Sequence, residues 1–168
     1  ELSLIYTPDL LLRSAEYDAV PIRFYYHSNL QKWSPMTLEI IQDVMKYFHK
    51  RYGSYSGKRL TVISIDDSPY PVIVADDLLI LRNSFSPESD PDIVKRRLAE
   101  HIAYGLAQQY WGYRVGQDPN QLPWINQGLS LFAAQTYMQQ KERRPFLLGE
   151  ALMGEYLKAA RQGWNTSL

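Results

Sequence analysis

Apolar residues recur at helical intervals in four stretches of the chain and crowd into short strand-like runs in four others. Leu38, Ile41, Val44, Met45, Phe48 and Tyr52 fall on one face of a helix, which is expected to meet a core. Ser34-Pro35 supplies its start, a cap hydroxyl followed by proline at the first helical position, and Gly53 its stop, through a left-handed residue. His49 lies off that stripe beside Lys50 and Arg51 and is expected to be solvated. Asp90-Pro91 opens a second helix in the same manner. Val94, Leu98, Ile102 and Leu106 form its buried stripe, and Gly112 is expected to stop it after Trp111. A third helix is predicted from Pro123-Trp124, with Ile125, Leu129, Phe132, Ala133 and Tyr137 inward. A fourth follows Pro145, using Leu148, Leu152, Tyr156 and Ala160.

Strand-forming residues dominate 22–27, 59–65, 72–74 and 78–81. Between them Asp66-Asp67-Ser68-Pro69 reads as a turn, and Asp76-Asp77 as a turn or bulge rather than a pair of catalytic acids. Near the start, Leu2 to Tyr6 is a short apolar segment. Thr7-Pro8-Asp9 then gives a helix-start or turn signal before Leu10-Leu11-Leu12. His27, beside Ser28-Asn29, reads as a surface residue.

Composition narrows the picture mainly by exclusion. A length of 168 residues is that of one ordinary domain able to bury a substantial core. Lys+Arg 18 balance Asp+Glu 18, so nothing points to nucleic acid or an acidic membrane surface as partner. The basic runs Lys95-Arg96-Arg97 and Lys141 to Arg144 read as solvated helix ends. Without cysteine there is neither a disulfide nor a thiolate metal site, and no compartment follows from redox chemistry. No apolar run approaches the roughly 20 residues of a membrane span. The start at Glu1, with no initiator Met or signal peptide, reads as a piece of a longer protein. There is no G-x-S-x-G elbow, phosphate-cradling Gly loop or Cys nucleophile. Glu100, Glu142, Glu150 and Glu155 give no pairing that sequence places across a cleft.

The stretch 100–130 carries the one informative constellation. In a zincin, H-E-x-x-H sets two imidazoles at i and i+4 on one helix face, with the intervening Glu as general base on zinc-bound water. Here those places read Tyr104, Gly105 and Gln108. Positions 109 to 126 number eighteen, and the next residue, Gln127, stands where the third ligand, a Glu, follows in gluzincins. Gln109-Tyr110-Trp111-Gly112 resembles the Q-W/Y-W/F-G that follows the second His in aminopeptidase N-like enzymes, and Trp124-Ile125-Asn126-Gln127-Gly128 resembles their W-L/I-N-E-G. Tyr47 to Tyr55 followed by Lys58-Arg59-Leu60-Thr61-Val62 is similar to the family's approach to its catalytic sheet. The chain therefore resembles the aminopeptidase N-like gluzincins over roughly 34–140. The family's G-x-M-E-N strand is absent, the corresponding stretch reading Ser68-Pro69-Tyr70-Pro71-Val72-Ile73-Val74-Ala75. The family's transition-state tyrosine lies farther downstream than this chain extends.

That resemblance implies an α+β, gluzincin (thermolysin-like) catalytic-domain fold, a small mixed β-sheet with helices around a cleft. It also implies a single peptidase-like domain fragment over 1–168: a strand and lead-in (1–33), a helix with a small sheet (34–89) and a helical part (90–168). Its chemistry does not carry over. A His2Glu zinc site needs two neutral imidazoles and a carboxylate about 2 Å from the metal. Tyr104 ligates only as phenolate, against a reference pKa of about 10, and the Gln108 and Gln127 amides suit hard ions better than zinc. Gly105 offers no base at all. We expect no metal and no other cofactor, and a polar cluster of Tyr104, Gln108 and Gln127 in place of the site. Glycine inside a helix costs about 1 kcal/mol relative to alanine, so Gly105 is expected to make room for the Tyr104 ring or for a second helix. His101, three residues before Tyr104, shares its stripe and is read as a packing or hydrogen-bonded histidine. With Trp124 and Asn126 it marks a vestigial cleft.

Three functions compete on these grounds. The first is a catalytically inactive peptidase-like module with a structural, peptide-binding or protein-binding role in a larger protein. The second is a hydrolase or peptidase with a rebuilt active site, and the third is a folded spacer with no ligand. A peptide partner is expected to add a strand to the sheet edge, with Tyr and Trp contacts. The oligomeric state is open.

Overall fold

The computed structural model describes residues 9–66, 68, 70–83, 85–112 and 123–162. Asp18 and Ala19 both take positive φ, 51° and 60°, as a tight type I′ turn requires. Leu11–Tyr17 (β1) therefore folds back antiparallel on Val20–Tyr26 (β2), with Tyr17 opposite Val20. β1 was not expected from the sequence. It is an edge strand largely exposed on both faces, so it carries no alternation, and its turn is Asp-Ala rather than the usual Asn-Gly. β2 shows the alternation plainly, burying Val20, Ile22, Phe24 and Tyr26.

A 3-10 turn, Ser28–Leu30, leads into α1, Ser34–Tyr52. Its capping differs from expectation. Trp33 is the cap residue, its carbonyl accepting the Thr37 N–H at 2.9 Å, while the Ser34 hydroxyl donates back to the Gln31 carbonyl. Leu38, Ile41, Val44, Met45 and Phe48 are buried as predicted. Gly53 ends the helix at φ 94° and ψ 176°, a region that is essentially glycine's alone and is not the left-handed helical one.

Leu60–Ile65 (β3) runs parallel to β2, and Val72–Ala75 (β4) and Leu78–Arg82 (β5) form a hairpin through Asp76-Asp77. β5 inserts parallel to β3, giving a five-stranded sheet in the order β1-β2-β3-β5-β4. The centre is parallel and both edges are antiparallel. α1 lies on β1 and β2, and α2, Pro91–Gly112, lies on β4 and β5. The two helices also pack on each other, so both cover one face of the sheet. The Asp90 carboxylate accepts the Asp92 N–H at 2.8 Å and caps α2.

α3, Pro123–Gln140, packs along α2. Its buried face is Ser130, Ala133, Ala134, Tyr137 and Met138, while Leu129 and Phe132 are 38% and 59% exposed. Ala133 and Tyr137 thus face inward as expected, Leu129 and Phe132 do not, and the Ile125 side chain lies outside the described residues. Ser130, Ala133 and Ala134 are small enough to let α3 approach α2. α4, Leu147–Arg161, completes the described chain. The side chains of its expected stripe, Leu148, Leu152, Tyr156 and Ala160, lie outside the described residues. Among the described residues no helix is long and apolar enough to cross a membrane.

Candidate functional site

α2 is buried along most of its length because it faces the sheet, α1 and α3 at once. Val94, Leu98, Ile102 and Leu106 are fully buried, and the small Ala99, Ala103, Gly105 and Ala107 are buried beside them together with Glu100, Gln109 and Tyr110. Gly105 meets the sheet rather than the second helix, contrary to expectation. A Cβ built there would stand 3.0 Å from Val72 Cγ1 and 3.1 Å from Leu79 Cδ2. β4 and β5 thus occupy, with apolar methyls, the space into which any side chain at 105 would have to project.

One residue back, Tyr104 is partly buried, with Gln108 one turn further along on the same helix. Burial raises the Tyr104 phenol above its ordinary value, and the polar Gln108 amide offsets that only in part. Phenolate at neutral pH is therefore less accessible here than in water. Gln127 sits exposed on the first turn of α3, and among the described residues no hydrogen bond joins it to Tyr104 or Gln108. The Trp124 side chain lies outside the described residues.

His101 is partly buried on the same stripe, its Nδ1 enclosed without a partner. Burial, with the positive charges of Arg82 and Arg97, pushes its pKa down to about 4. It is therefore neutral across the physiological range, and the charged groups that set its electrostatics are cations. Among the described residues no three His, Asp or Glu side chains converge to hold a metal ion.

The letters after Gln108 have architectural roles. Gln109 is 3% exposed, and its Nε2 donates to the carbonyls of Ala75 at 2.7 Å and Leu78 at 3.1 Å. Its Oε1 accepts the Asp77 N–H at 3.3 Å, so one amide clamps the whole β4–β5 turn. The Tyr110 hydroxyl donates to the Gly53 carbonyl at 3.2 Å and ties α2 to the end of α1. Trp111 meets the Tyr52 ring edge-on, with centroids 5.4 Å apart. Gly112 does not stop the helix by positive φ. It remains helical, and a Cβ there would lie 2.6 Å from Asn126 Nδ2, so the Asn126 side chain packs directly on this glycine. Asn126 is thereby placed against α2, its Oδ1 accepting from Ser130 at 3.4 Å.

Asp77 is a turn residue, at φ 56°, and its carboxylate accepts the Tyr55 hydroxyl at 2.9 Å. A 260 Å³ depression beside this turn is lined by Tyr55, Lys58, Asp76, Asp77 and Gln109 among others. His49 is not simply solvated. Its Nδ1 lies 3.2 Å from Asp18 Oδ2 and 3.3 Å from the Tyr17 hydroxyl, and its Nε2 lies 3.4 Å from Ser54 Oγ. These contacts fasten the β1–β2 turn to the end of α1. Sequence distance hides the contacts to Tyr17 and Asp18, which lie at the β1–β2 turn some thirty residues away.

No protein-family model matches the chain, and no curated protein matches it. Among solved structures the fold is similar to Legionella pneumophila aminopeptidase A, crystallised in complex with aspartic acid, with a TM-score of 0.64 and 19% identity. The likeness covers 78% of this chain and 16% of that one, so this chain spans about a sixth of that protein's length. At that identity the likeness concerns the fold alone.

Proposed function

We propose that this chain is a peptidase-like domain of the gluzincin (thermolysin-like) kind in which the metal centre is lost. In this reading it is a non-catalytic structural or peptide-binding part of a larger protein, and 1–168 forms one such domain fragment. The observation that carries the reading is the contact at Gly105. The general base of the zincin arrangement would stand at this residue, and its space is filled by Val72 and Leu79. A carboxylate there would be desolvated among methyl groups, with no room for the water it should activate. The ligand positions agree with this reading. A phenol made harder to ionise and a neutral amide one turn along offer zinc no anionic or imidazole donor.

The Gln109, Tyr110, Trp111, Gly112 and Asn126 contacts account for why those family-like letters persist without chemistry: each holds two elements together. A retained scaffold with a vacated centre suits binding or support rather than turnover. The test is hydrolysis of unblocked peptides and aminoacyl arylamides by the purified domain, with and without added zinc. The reading predicts no release above buffer in either condition. Chelator-sensitive turnover would overturn it.

A further inference from the structure

A cavity of 470 Å³ opens between the C-terminal half of α1 and the end of α3, and its charge is one-sided. Lys46, Lys50, Arg51 and Lys141 line it, and Asp43 is the one acid among its described lining residues. Asp43 is already committed, its Oδ1 lying 3.1 Å from Lys141 Nζ and its Oδ2 accepting the Tyr137 hydroxyl at 3.0 Å. Among the described residues neither Lys46 nor Lys50 has an ion-pair partner. They stand at i and i+4 on α1, where like charges repel. The chain as a whole carries a formal net charge of +0, so the cluster is a local segregation and not the result of a basic protein.

Stabilisation of a helix end by basic residues accounts for Lys50 and Arg51 in the last turn of α1. It does not account for Lys46, one turn earlier, nor for Lys141, which arrives from the turn after α3. The wall is also ordered. Gln140 Oε1 accepts both the Tyr47 hydroxyl and Arg51 Nη1, each at 3.1 Å, which fixes the guanidinium beside the ring and leaves the Gln140 amide nitrogen as a further donor. The Tyr47 ring and the lysine stems supply an apolar floor.

We propose that this cavity is a binding site for a small organic phosphate monoester. With Lys141 neutralised by Asp43, three cations remain uncompensated, which matches the charge of about −1.5 to −2 on a monoester at neutral pH better than a monocarboxylate. The cavity volume lies within the range of small-ligand sites, and Tyr47 offers a face on which an organic body can rest. The site shares no residue with the Tyr104–Gln108 region, so it stands or falls independently of the peptidase-like reading.

Calorimetric titration of the purified protein with phenyl phosphate at low and moderate ionic strength tests this, with benzoate and inorganic phosphate as comparison probes. The expected result is saturable binding of phenyl phosphate, weakened by salt and tighter than either comparison probe. A Lys46→Gln/Lys50→Gln double variant, altered only at exposed side chains, should weaken it by roughly tenfold or more. A Lys58→Gln variant, at the separate depression beside the β4–β5 turn, should leave it unchanged. Absence of phenyl phosphate binding at millimolar concentration, equal affinity for inorganic phosphate, or an unaltered double variant would each overturn the proposal.

Discussion

Replacing Gly105 by alanine inserts one methyl into the contact between α2 and the sheet. The new carbon would stand 3.0 Å from Val72 Cγ1 and 3.1 Å from Leu79 Cδ2, where a relaxed carbon–carbon contact is about 3.5–4.0 Å. Leu79 is fully buried and retreats only by displacing core neighbours, whereas Val72, half-buried on the edge strand, gives way more easily. Helix propensity acts in the opposite direction and favours alanine by about 1 kcal/mol. Overpacking of this kind costs about 1–3 kcal/mol. The net expectation is destabilisation by about 1 kcal/mol, a Tm fall of about 2–4 °C for a chain of this size. Urea unfolding followed by circular dichroism should show a lower midpoint with an unchanged slope. Placing the same substitution in a Val72→Ala background removes one of the two close contacts and leaves that of Leu79, so there it should cost measurably less, a coupling readable by double-mutant cycle. A Gly105→Ala protein at least as stable as the parent, with no coupling to position 72, would refute the close approach and with it the filled general-base position.

His101 makes stability pH-dependent with a defined sign. Its pKa is about 4 in the fold against 6.5 unfolded, so between these values the unfolded chain binds more protons and stability rises with pH. At 1.36 kcal/mol per pH unit the contribution is about 3 kcal/mol, complete above pH 6.5 and lost as pH falls towards 4. A His101→Leu variant should flatten the urea midpoint across that window, and an undiminished slope would assign it to other groups. Gln109→Ala should cost about 2–4 kcal/mol in urea unfolding, because the Ala75 and Leu78 carbonyls and the Asp77 N–H lose their partner together. A loss below about 0.5 kcal/mol would mean that the clamp is replaced by water. Gly112→Ala should destabilise through Asn126, and Asn126→Ala should relieve most of that cost. Additive effects of the two would rule out the contact.

Periodicity carried most of the architecture because most elements have one face in the core. Leu38 through Phe48 and Val94 through Leu106 read as helices for that reason, and Ile22-Arg23-Phe24 as part of a strand. β1 failed on the same criterion, since an edge strand such as Leu11–Tyr17 has no buried face to pattern. On α3 the expectation holds for Ala133 and Tyr137 and fails for Leu129 and Phe132, because the small Ser130 and Ala134 take part of the face against α2. At the candidate site, the proximity of Tyr104 and Gln108 follows from i, i+4 spacing and is local. The neighbours of Gly105 and Gly112 are tertiary: a glycine advertises missing volume without saying which element fills it. Gln109 gave no usable signal, because an amide clamp on a turn some thirty residues away has no sequence pattern.

The measurement that bears most directly on the account is elemental analysis of the purified domain after incubation with excess zinc and extensive dialysis. Substoichiometric background zinc, unchanged by incubation, is the predicted result. One retained zinc per chain, lost on substitution of Tyr104 or Gln108, would mean that these residues form a metal site after all and that the centre is altered rather than lost.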